Sequence, residues 1–265
     1  SREVFETMPY KNNVSWNAII AAHAQHGSCI EAFAFFYQMQ WEGFVANGST
    51  FISLLSMCVK WLDLSLGKRI HTRVINTGWD SDVCVATALV SMYGKCKNVD
   101  DAIKVFVNIP LKDVVSWNVL IAGYTQHEQY HKALKCFAQM QGDGLSPDEA
   151  TFSCILKACS RTRCIDIGTQ IHNEIVDRGF LENNIMLGIA LVDMYANCGF
   201  LEKAQSVQVE LPFQTVVSWN ALIEGYAQRG QSDEAMNCFE VMQRAGFCPN
   251  DATFISILKA CGNRR

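Results

Sequence analysis

Apolar and polar positions alternate in blocks along the chain, and residues 114–148 illustrate the pattern. Two apolar groups lie in this segment, spaced mostly by three and four residues, as on one face of an α-helix. The first group comprises Val115, Leu120, Ile121 and Tyr124, and the second comprises Ala133, Leu134, Phe137 and Met140. QHEQYH separates the groups, and Gly144 and Pro147 follow the second. The pattern predicts a helical hairpin, which cannot bury its apolar face without a neighbour.

The same pattern recurs along the whole chain. VVSWN appears at 114–118 and 216–220 and NVSWN at 13–17, so that their tryptophans lie 101 and 102 residues apart. Three repeats of unequal length fill each interval. First-type repeats of 35 residues span 13–47, 114–148 and 216–250; second-type repeats of 35 or 36 residues span 48–82 and 149–184; third-type repeats of 31 residues span 83–113 and 185–215. Residues 1–12 match the end of a third-type repeat, and residues 251–265 match the start of a second-type repeat.

These repeats predict an all-α protein. The expected architecture is a right-handed α-solenoid superhelix of stacked helix-turn-helix hairpins, with residues 1–265 forming a single array without domain boundaries. Since the chain begins in the middle of a repeat, we expect it to be part of a longer protein. The lack of a targeting peptide at its start then decides nothing about its compartment.

The composition narrows the classes of function. Of the 265 residues, 49% are hydrophobic and 18% are charged, which is typical of a globular chain. No run approaches the roughly 18 apolar residues of a membrane helix, so we expect a soluble protein without a membrane partner. The net charge of -4 argues against binding nucleic acid through bulk charge, so any such binding must depend on locally placed groups.

The twelve cysteines raise the question of a metal site. The chain contains no Cys-x-x-Cys pair, and cysteines recur at fixed places in the repeats, as at Cys58, Cys159 and Cys261. Cys136 with Cys238, and Cys96 with Cys198, occupy two further recurring places. A free cysteine packs as a small apolar residue. We therefore predict buried structural cysteines, no metal site and no cofactor.

The repeats closely resemble pentatricopeptide repeats, in the alternating long and short (PLS) arrangement of plant organelle proteins. VVSWN, GYAQRG and FCPN in residues 216–250 carry the resemblance, which extends over essentially the whole chain. Tetratricopeptide repeats, which bind peptides, differ in their uniform length, and they lack the asparagine at the fifth place and the closing Pro147-Asp148 or Pro249-Asn250. The resemblance implies binding of single-stranded RNA, one base per repeat, with the chain running from N- to C-terminus along RNA from 5′ to 3′.

The family reads a base with the fifth and the last residue of each repeat. First-type repeats offer Asn17 with Asn47, Asn118 with Asp148, and Asn220 with Asn250; the third-type repeat 83–113 offers Thr87 with Asp113. An asparagine amide both donates and accepts and so suits a pyrimidine edge. By the family's rules Asn with Asp favours U, Asn with Asn favours C or U, and Thr with Asp favours G. A lone asparagine caps a helix more often than it contacts a base, but three at the same place, each after Ser-Trp and each with Asn or Asp thirty residues on, favour the base contact.

No base preference is assigned to the remaining pairs of fifth and last residues. They are Ile52 with Asp82, Ser153 with Asn184, and Ile189 with Thr215. Isoleucine cannot form hydrogen bonds, and the family's rules describe second-type repeats poorly. The expected register is pyrimidine–any–G–U–any–any–pyrimidine.

Two further sets of residues are assigned through the resemblance. Val14, Val115 and Val217 occupy the second place, where a small apolar side chain packs on the face of a base; the alternative is that they belong to the core. Lys60, Lys95 and Arg161 occupy the thirteenth place and are candidates for phosphate contacts, although a solvated helix face explains them nearly as well. First-type repeats carry glutamine there.

The sequence predicts a binding protein and no enzyme. Many relatives of this class end in a deaminase-like domain with His-x-Glu and Pro-Cys-x-x-Cys zinc motifs. The segment HNE at 172–174 imitates the first motif, but His172 corresponds to His71 of the earlier repeat and no second motif follows. We expect guidance of C-to-U editing in mitochondria or chloroplasts, with editing cofactor proteins or a deaminase, in cis or in trans, as partners. The alternative is a helical scaffold for a protein partner, which would need a continuous apolar or charged groove.

Overall fold

A computed structural model describes residues 2–26 and 28–262, and the regular elements in these ranges are α-helices. The first helix of each predicted hairpin is called an A helix: α2 (Asn13–His26), α4 (Gly48–Trp61), α6 (Val83–Lys95), α8 (Val114–Gln126), α10 (Glu149–Thr162), α13 (Ile185–Cys198), α15 (Val216–Gln228) and α17 (Asp251–Gly262). The second is called a B helix: α3 (Cys29–Trp41), α5 (Leu64–Asn76), α7 (Val99–Val107), α9 (Tyr130–Gly142), α11 (Ile165–Asp177), α14 (Leu201–Glu210) and α16 (Ser232–Arg244). Two short helices, α1 (Arg2–Glu6) and α12 (Phe180–Asn183), complete the set.

A polar side chain caps the start of every described A helix. Its oxygen accepts a hydrogen bond of 2.8–3.2 Å from the backbone N–H three residues further on. The capping residues are Asn12, Asn47, Asp82, Asp113, Asp148, Asn184, Thr215 and Asn250. Because the first N–H groups of a helix have no partner inside it, each cap stabilises its helix by about 1 kcal/mol. The last residue of each predicted repeat therefore has a structural role.

The chain forms two compact halves, Ser1–His127 and Glu128–Arg265. In the N-terminal half, the A helices α2, α4, α6 and α8 pack side by side in chain order. The B helices α3, α5 and α7 each contact their own A helix and the next one. The core lies between the two layers and contains Trp16, Ile20, Phe51, Leu54, Leu89 and Met92, all at most 1% exposed. Each hairpin thus buries its apolar face against its neighbours.

The C-terminal half repeats this arrangement. Its A helices α10, α13, α15 and α17 pack side by side, and α11, α14 and α16 each contact the A helices before and after them. Phe152, Ile155, Leu156, Leu191 and Tyr195 fill the core. The short helix α12 contacts α11 and α13 and lies in the 36-residue repeat. The hairpin pattern did not predict this element. The all-α fold of stacked hairpins is confirmed.

Equivalent contacts recur in both halves. A Cβ atom built on Gly67 or Gly168 would lie 2.3 or 2.6 Å from the sulfur of Met92 or Met194, so both B helices approach the next A helix closely. Nδ1 of His71 lies 2.8 Å from the Tyr93 hydroxyl, and Nδ1 of His172 lies 2.9 Å from the Tyr195 hydroxyl. The histidine of HNE therefore has the same packing role as its counterpart. Burial lowers the pKa of both histidines.

The repeated tryptophans show where the halves differ. Trp16 packs edge-on against Phe5, with ring centroids 4.6 Å apart, and Trp117 packs in the same way against Phe106 at 4.7 Å. The equivalent place before Trp219 holds Gln208, which is 1% exposed. No described residue hydrogen-bonds to either atom of the Gln208 amide. A buried amide without partners costs free energy, so this is a weak point of the core.

Five of the twelve cysteines are buried and pack in the core. Cys58 and Cys159 are fully buried. The sulfur of Cys96 lies 4.0 Å from the carbonyl oxygen of Cys58, and the sulfur of Cys198 lies 3.7 Å from the carbonyl oxygen of Cys159. Burial raises the pKa of Cys58 and Cys159 to about 12, which keeps these thiols protonated. Cys136 and Cys238 are also buried. The expectation was wrong for Cys261, which is exposed on α17.

Two features are absent from the residues that the structure describes. Among them, no three histidine, cysteine or acidic side chains come together in a way that holds a metal ion. None of their helices combines the length and apolar character needed to cross a membrane.

Candidate nucleic-acid interface

Two of the predicted reading pairs are joined by hydrogen bonds. Nδ2 of Asn17 donates to Oδ1 of Asn47 at 2.9 Å, and Nδ2 of Asn220 donates to Oδ1 of Asn250 at the same distance. Asn17 and Asn220 lie inside α2 and α15, so neither is a helix cap. The A helix thus places the fifth residue directly beside the last residue of its repeat.

A third residue completes each of these clusters. The Thr50 hydroxyl donates to Oδ1 of Asn17, and the Thr253 hydroxyl donates to Oδ1 of Asn220, both at 2.6 Å. Both threonines are fully buried. Sequence reasoning missed them because they belong to the following repeat. The recurrence of Thr50, Thr151 and Thr253 three residues after a repeat ends was a signal that could have found them.

Each cluster keeps unused hydrogen-bonding capacity. A side-chain amide has two N–H groups and an oxygen with two lone pairs. Nδ2 of Asn17 donates one of its two N–H groups to Asn47. No described residue bonds to Nδ2 of Asn47 or Asn250. Asn17 and Asn47 are partly exposed and Asn250 is exposed. A ligand edge that alternates donors and acceptors can therefore pair with these amides.

The structure does not join Thr87 to Asp113. The Thr87 hydroxyl is buried and no described residue lies within hydrogen-bonding distance of it. Asp113 caps α8 through Oδ1, which accepts from the Ser116 N–H at 2.8 Å. Asp113 is exposed as a residue, and no described residue bonds to its second oxygen. Asp113 therefore has a free acceptor, and its pairing with Thr87 stays a prediction.

The central pair also stays a prediction, because Asn118 belongs to the N-terminal half and Asp148 to the C-terminal half. Within its own half, Asp148 caps α10 by accepting from the Thr151 N–H at 2.9 Å. The Thr151 hydroxyl donates to the same carboxylate oxygen at 2.9 Å.

The second-place valines are exposed. Val14 is 75% exposed, and Val115 and Val217 are each 58% exposed. These values contradict the alternative that the valines belong to the core. An exposed apolar residue beside a reading pair is available to pack on a planar ligand.

The three candidate cations differ in their surroundings. Nζ of Lys60 donates to the backbone carbonyl of Gln25 at 2.7 Å and so satisfies the C-terminal end of α2. Lys95 and Arg161 are exposed and form no ion pair with any described residue. Lys60 therefore has a structural role that the sequence did not suggest, whereas Lys95 and Arg161 are available to an anion.

Two open cavities lie beside fifth and last residues for which no base preference was assigned. One of about 450 Å³, between α2 and α4, is lined by Ile52, Ser53 and Lys60 among others. The second, of about 600 Å³, is lined by Ser153, Asn184 and Met186 among others. Nδ2 of Asn184 donates to Glu149. Asp82 and Thr215 cap their helices, while Ile52 and Ile189 have no polar group to pair with them.

Comparisons with known proteins agree with this architecture. The PPR repeat family model matches residues 112–161 and 214–263, and the PPR repeat model matches 14–44 and 84–113. A chloroplastic pentatricopeptide repeat-containing protein of Arabidopsis thaliana is 37% identical over 262 residues, which are 99% of this chain and 42% of that protein. A mitochondrial one from the same plant is 36% identical over 262 residues, 98% of this chain and 25% of that protein. The chain thus spans a quarter to two fifths of the length of these relatives.

Solved structures share the fold. The crystal structure of the pentatricopeptide repeat protein PPR10 in complex with an 18-nt psaJ RNA element matches with a TM-score of 0.84 at 20% identity, over 98% of this chain and 39% of that one. The structure of PPR10 from maize matches with a TM-score of 0.65 at 19% identity, over 98% and 42%. The repeats, their stacked hairpins and these matches lead to one conclusion: the chain belongs to the pentatricopeptide repeat family.

Proposed function

We propose that the chain binds single-stranded RNA and that each of the repeats 13–47, 83–113, 114–148 and 216–250 reads one base. The observation that carries the proposal is the joined pair, in which two side chains share one hydrogen bond and keep free donors and acceptors. The likeness to PPR10, whose structure is named as an RNA complex, supports it. RNA sequence is read on unpaired bases, whose edges such side chains can reach.

The geometry favours particular bases. In the pairs that end in Asn47 and Asn250, the last residue has an unused amide N–H, which suits the N3 acceptor of cytosine. In pairs that end in Asp113 and Asp148, a carboxylate can accept from the N–H of guanine or uracil. The free amide N–H supports C in preference to U for repeats 13–47 and 216–250, whereas the family's pairing rules assign G to 83–113 and U to 114–148. The exposed valines Val14, Val115 and Val217 pack on the faces of these bases.

The whole protein is proposed to belong to the PLS class, because its repeats alternate in length. On this basis we propose that it directs C-to-U editing at one site in an organellar transcript. Editing cofactor proteins or a deaminase, in cis or in trans, would supply the chemistry. Among the relatives, one is named chloroplastic and another mitochondrial, which supports an organellar location.

The test is a binding titration with a short RNA that carries the expected register. We expect the free strand to bind and its perfect duplex to bind at least tenfold more weakly. The Asn17→Ala/Asn220→Ala variant should lose preference at the first and last positions alone. An exposed asparagine on a B helix, Asn237, supplies the control Asn237→Ala. Equal binding of strand and duplex, or loss of preference in the control, would refute base reading.

A further inference from the structure

We propose that Thr50 and Thr253 are positioning residues for base selectivity, each acting on the repeat before its own. The proposal rests on the proposed RNA binding and goes beyond it by assigning a residue outside the reading pair. Each hydroxyl holds one orientation of the amide of the fifth residue, Asn17 or Asn220.

The orientation follows from a fixed backbone donor. The Thr253 N–H donates to Oδ1 of Asn250 at 3.1 Å, so this atom is an acceptor. The Asn220 atom 2.9 Å from that oxygen must therefore be the nitrogen, Nδ2. Oδ1 of Asn220 then faces the Thr253 hydroxyl at 2.6 Å, and the hydroxyl donates to it. The cluster of Asn17, Asn47 and Thr50 contains the same three hydrogen bonds.

Two contacts make the reverse orientation unfavourable, and the hydroxyl supplies the second of them. A flipped Asn220 amide would place its oxygen against Oδ1 of Asn250, with two acceptors in contact and no proton between them. It would also remove the nearer acceptor of the buried Thr253 hydroxyl, at 2.6 Å, and leave only Oδ1 of Asn250 at 3.1 Å. Cytosine and uracil exchange donor and acceptor along the edge that carries N3. An amide that is held in one orientation can therefore distinguish the two bases, whereas one that flips cannot.

Other repeats show the same cap without this contact. The Ser218 hydroxyl accepts from the backbone N–H of Thr215 at 3.1 Å and donates to the Thr215 carbonyl at 2.9 Å. The Ser116 hydroxyl does the same with Asp113, at 3.0 and 2.8 Å. Neither hydroxyl bonds to a fifth residue among those described. Ser218→Ala is thus a matched control, since it removes an equivalent capping hydroxyl without touching a reading amide.

The experiment uses the whole chain and four single-stranded RNAs that differ at one position, the position at which Asn220→Ala abolishes the base preference. A fifth RNA carries an abasic nucleotide there. In Thr253→Val we expect the ratio of the dissociation constants for U and C to fall at least fivefold toward one. Affinity for the abasic RNA should stay within twofold of that of the unchanged chain. Thr253→Ser and Ser218→Ala should keep the original ratio.

Three results would overturn the proposal. If Thr253→Val keeps the ratio of the unchanged chain, base reading by Asn220 stands but Thr253 does not position it. If Thr253→Val lowers the affinity for the abasic RNA as much as the affinity for the four RNAs that carry a base, the threonine has only a structural role. If the unchanged chain prefers no base at any position, the proposed function fails and this assignment fails with it. Thermal unfolding of each variant identifies loss of fold separately.

Discussion

At the scale of single residues, the same side chain both builds the fold and faces the candidate ligand. Asn47 and Asn250 each cap an A helix and accept from a fifth-place asparagine through one oxygen. Only the nitrogen of each amide is left for a base. The hydrogen-bonding groups left for a ligand are therefore those that the helix cap does not use.

Exchanging the fifth residue should change the base that is read. Asn118→Thr gives repeat 114–148 the threonine–aspartate pair of Thr87 and Asp113. We expect the preference at that position to move from U toward G by about 1–3 kcal/mol, the discrimination that a good base-edge contact provides. Titration with RNAs bearing each base measures it. Asn108→Thr, the same change at an exposed site on no A helix, should alter nothing. Uniform weakening for all four bases would contradict base reading by Asn118.

Removing a buried amide without partners should stabilise the fold. Gln208→Met keeps the volume of the side chain but removes both unpaired atoms of the Gln208 amide. The free energy of unfolding should rise by about 1–3 kcal/mol, as measured by denaturant titration. The matched control Gln243→Met, at an exposed site on α16, should change it by less than about 0.5 kcal/mol. A loss of stability in Gln208→Met would mean that the amide is hydrogen-bonded in solution.

At the scale of helices, the two histidine–tyrosine pairs join a B helix to the next A helix. Burial lowers the pKa of His71 and His172 in the folded chain. Below pH 6.5 the unfolded chain therefore binds more protons than the folded one, and the free energy of unfolding falls as the pH falls. The loss begins near the unfolded pKa of about 6.5 and is complete below the lowered pKa of the folded state.

We expect His71→Gln/His172→Gln to reduce this pH dependence. Glutamine keeps an acceptor for the tyrosine hydroxyl and cannot be protonated. Denaturant titrations at pH 7.5, 6.5 and 5.5 should show a smaller loss of stability in the double variant than in the unchanged chain. His131→Gln, at an exposed site on α9, controls for the removal of a histidine. Identical slopes in the double variant and the unchanged chain would contradict the assignment.

The sequence predicted the helices well because each buries one apolar face, which leaves a regular spacing such as that of Leu120, Ile121 and Tyr124. It predicted the exposed valines only through the family resemblance. Contacts between repeats were not predicted, because they join residues about 30 positions apart: Thr50 reaches Asn17, and Lys60 caps α2 at Gln25. The short helix α12 was also not predicted, because it is not part of the repeating pattern of two helices per repeat.

At the scale of the whole molecule, the net charge limits how the proposed RNA ligand could be held. The net charge is -4, and Lys95 and Arg161 are the candidate cations without a described partner. Single-stranded binding loses about 0.7 in the logarithm of affinity per phosphate contact for each tenfold rise in salt. We therefore expect a slope no steeper than about -2 between 50 and 400 mM KCl.

Lys95→Gln should make this slope shallower by about 0.7, as measured by titration at four salt concentrations. Lys135→Gln, the same change at an exposed site on a B helix, should leave the slope unchanged. An equal effect of both variants would show that net charge, and no particular phosphate contact, determines the salt dependence.

The capping of every A helix restricts how such an array can acquire a new target. The last residue of a repeat must accept from a backbone N–H, and Asn, Asp, Ser and Thr do this best. Lysine or arginine there would offer a base new donors, but would cost about 1 kcal/mol for each lost cap. Under the proposed base reading, substitutions at this position that change the base and keep the cap are therefore limited to these four amino acids. The chemistry of starting a helix would then limit how many RNA sequences such an array can distinguish.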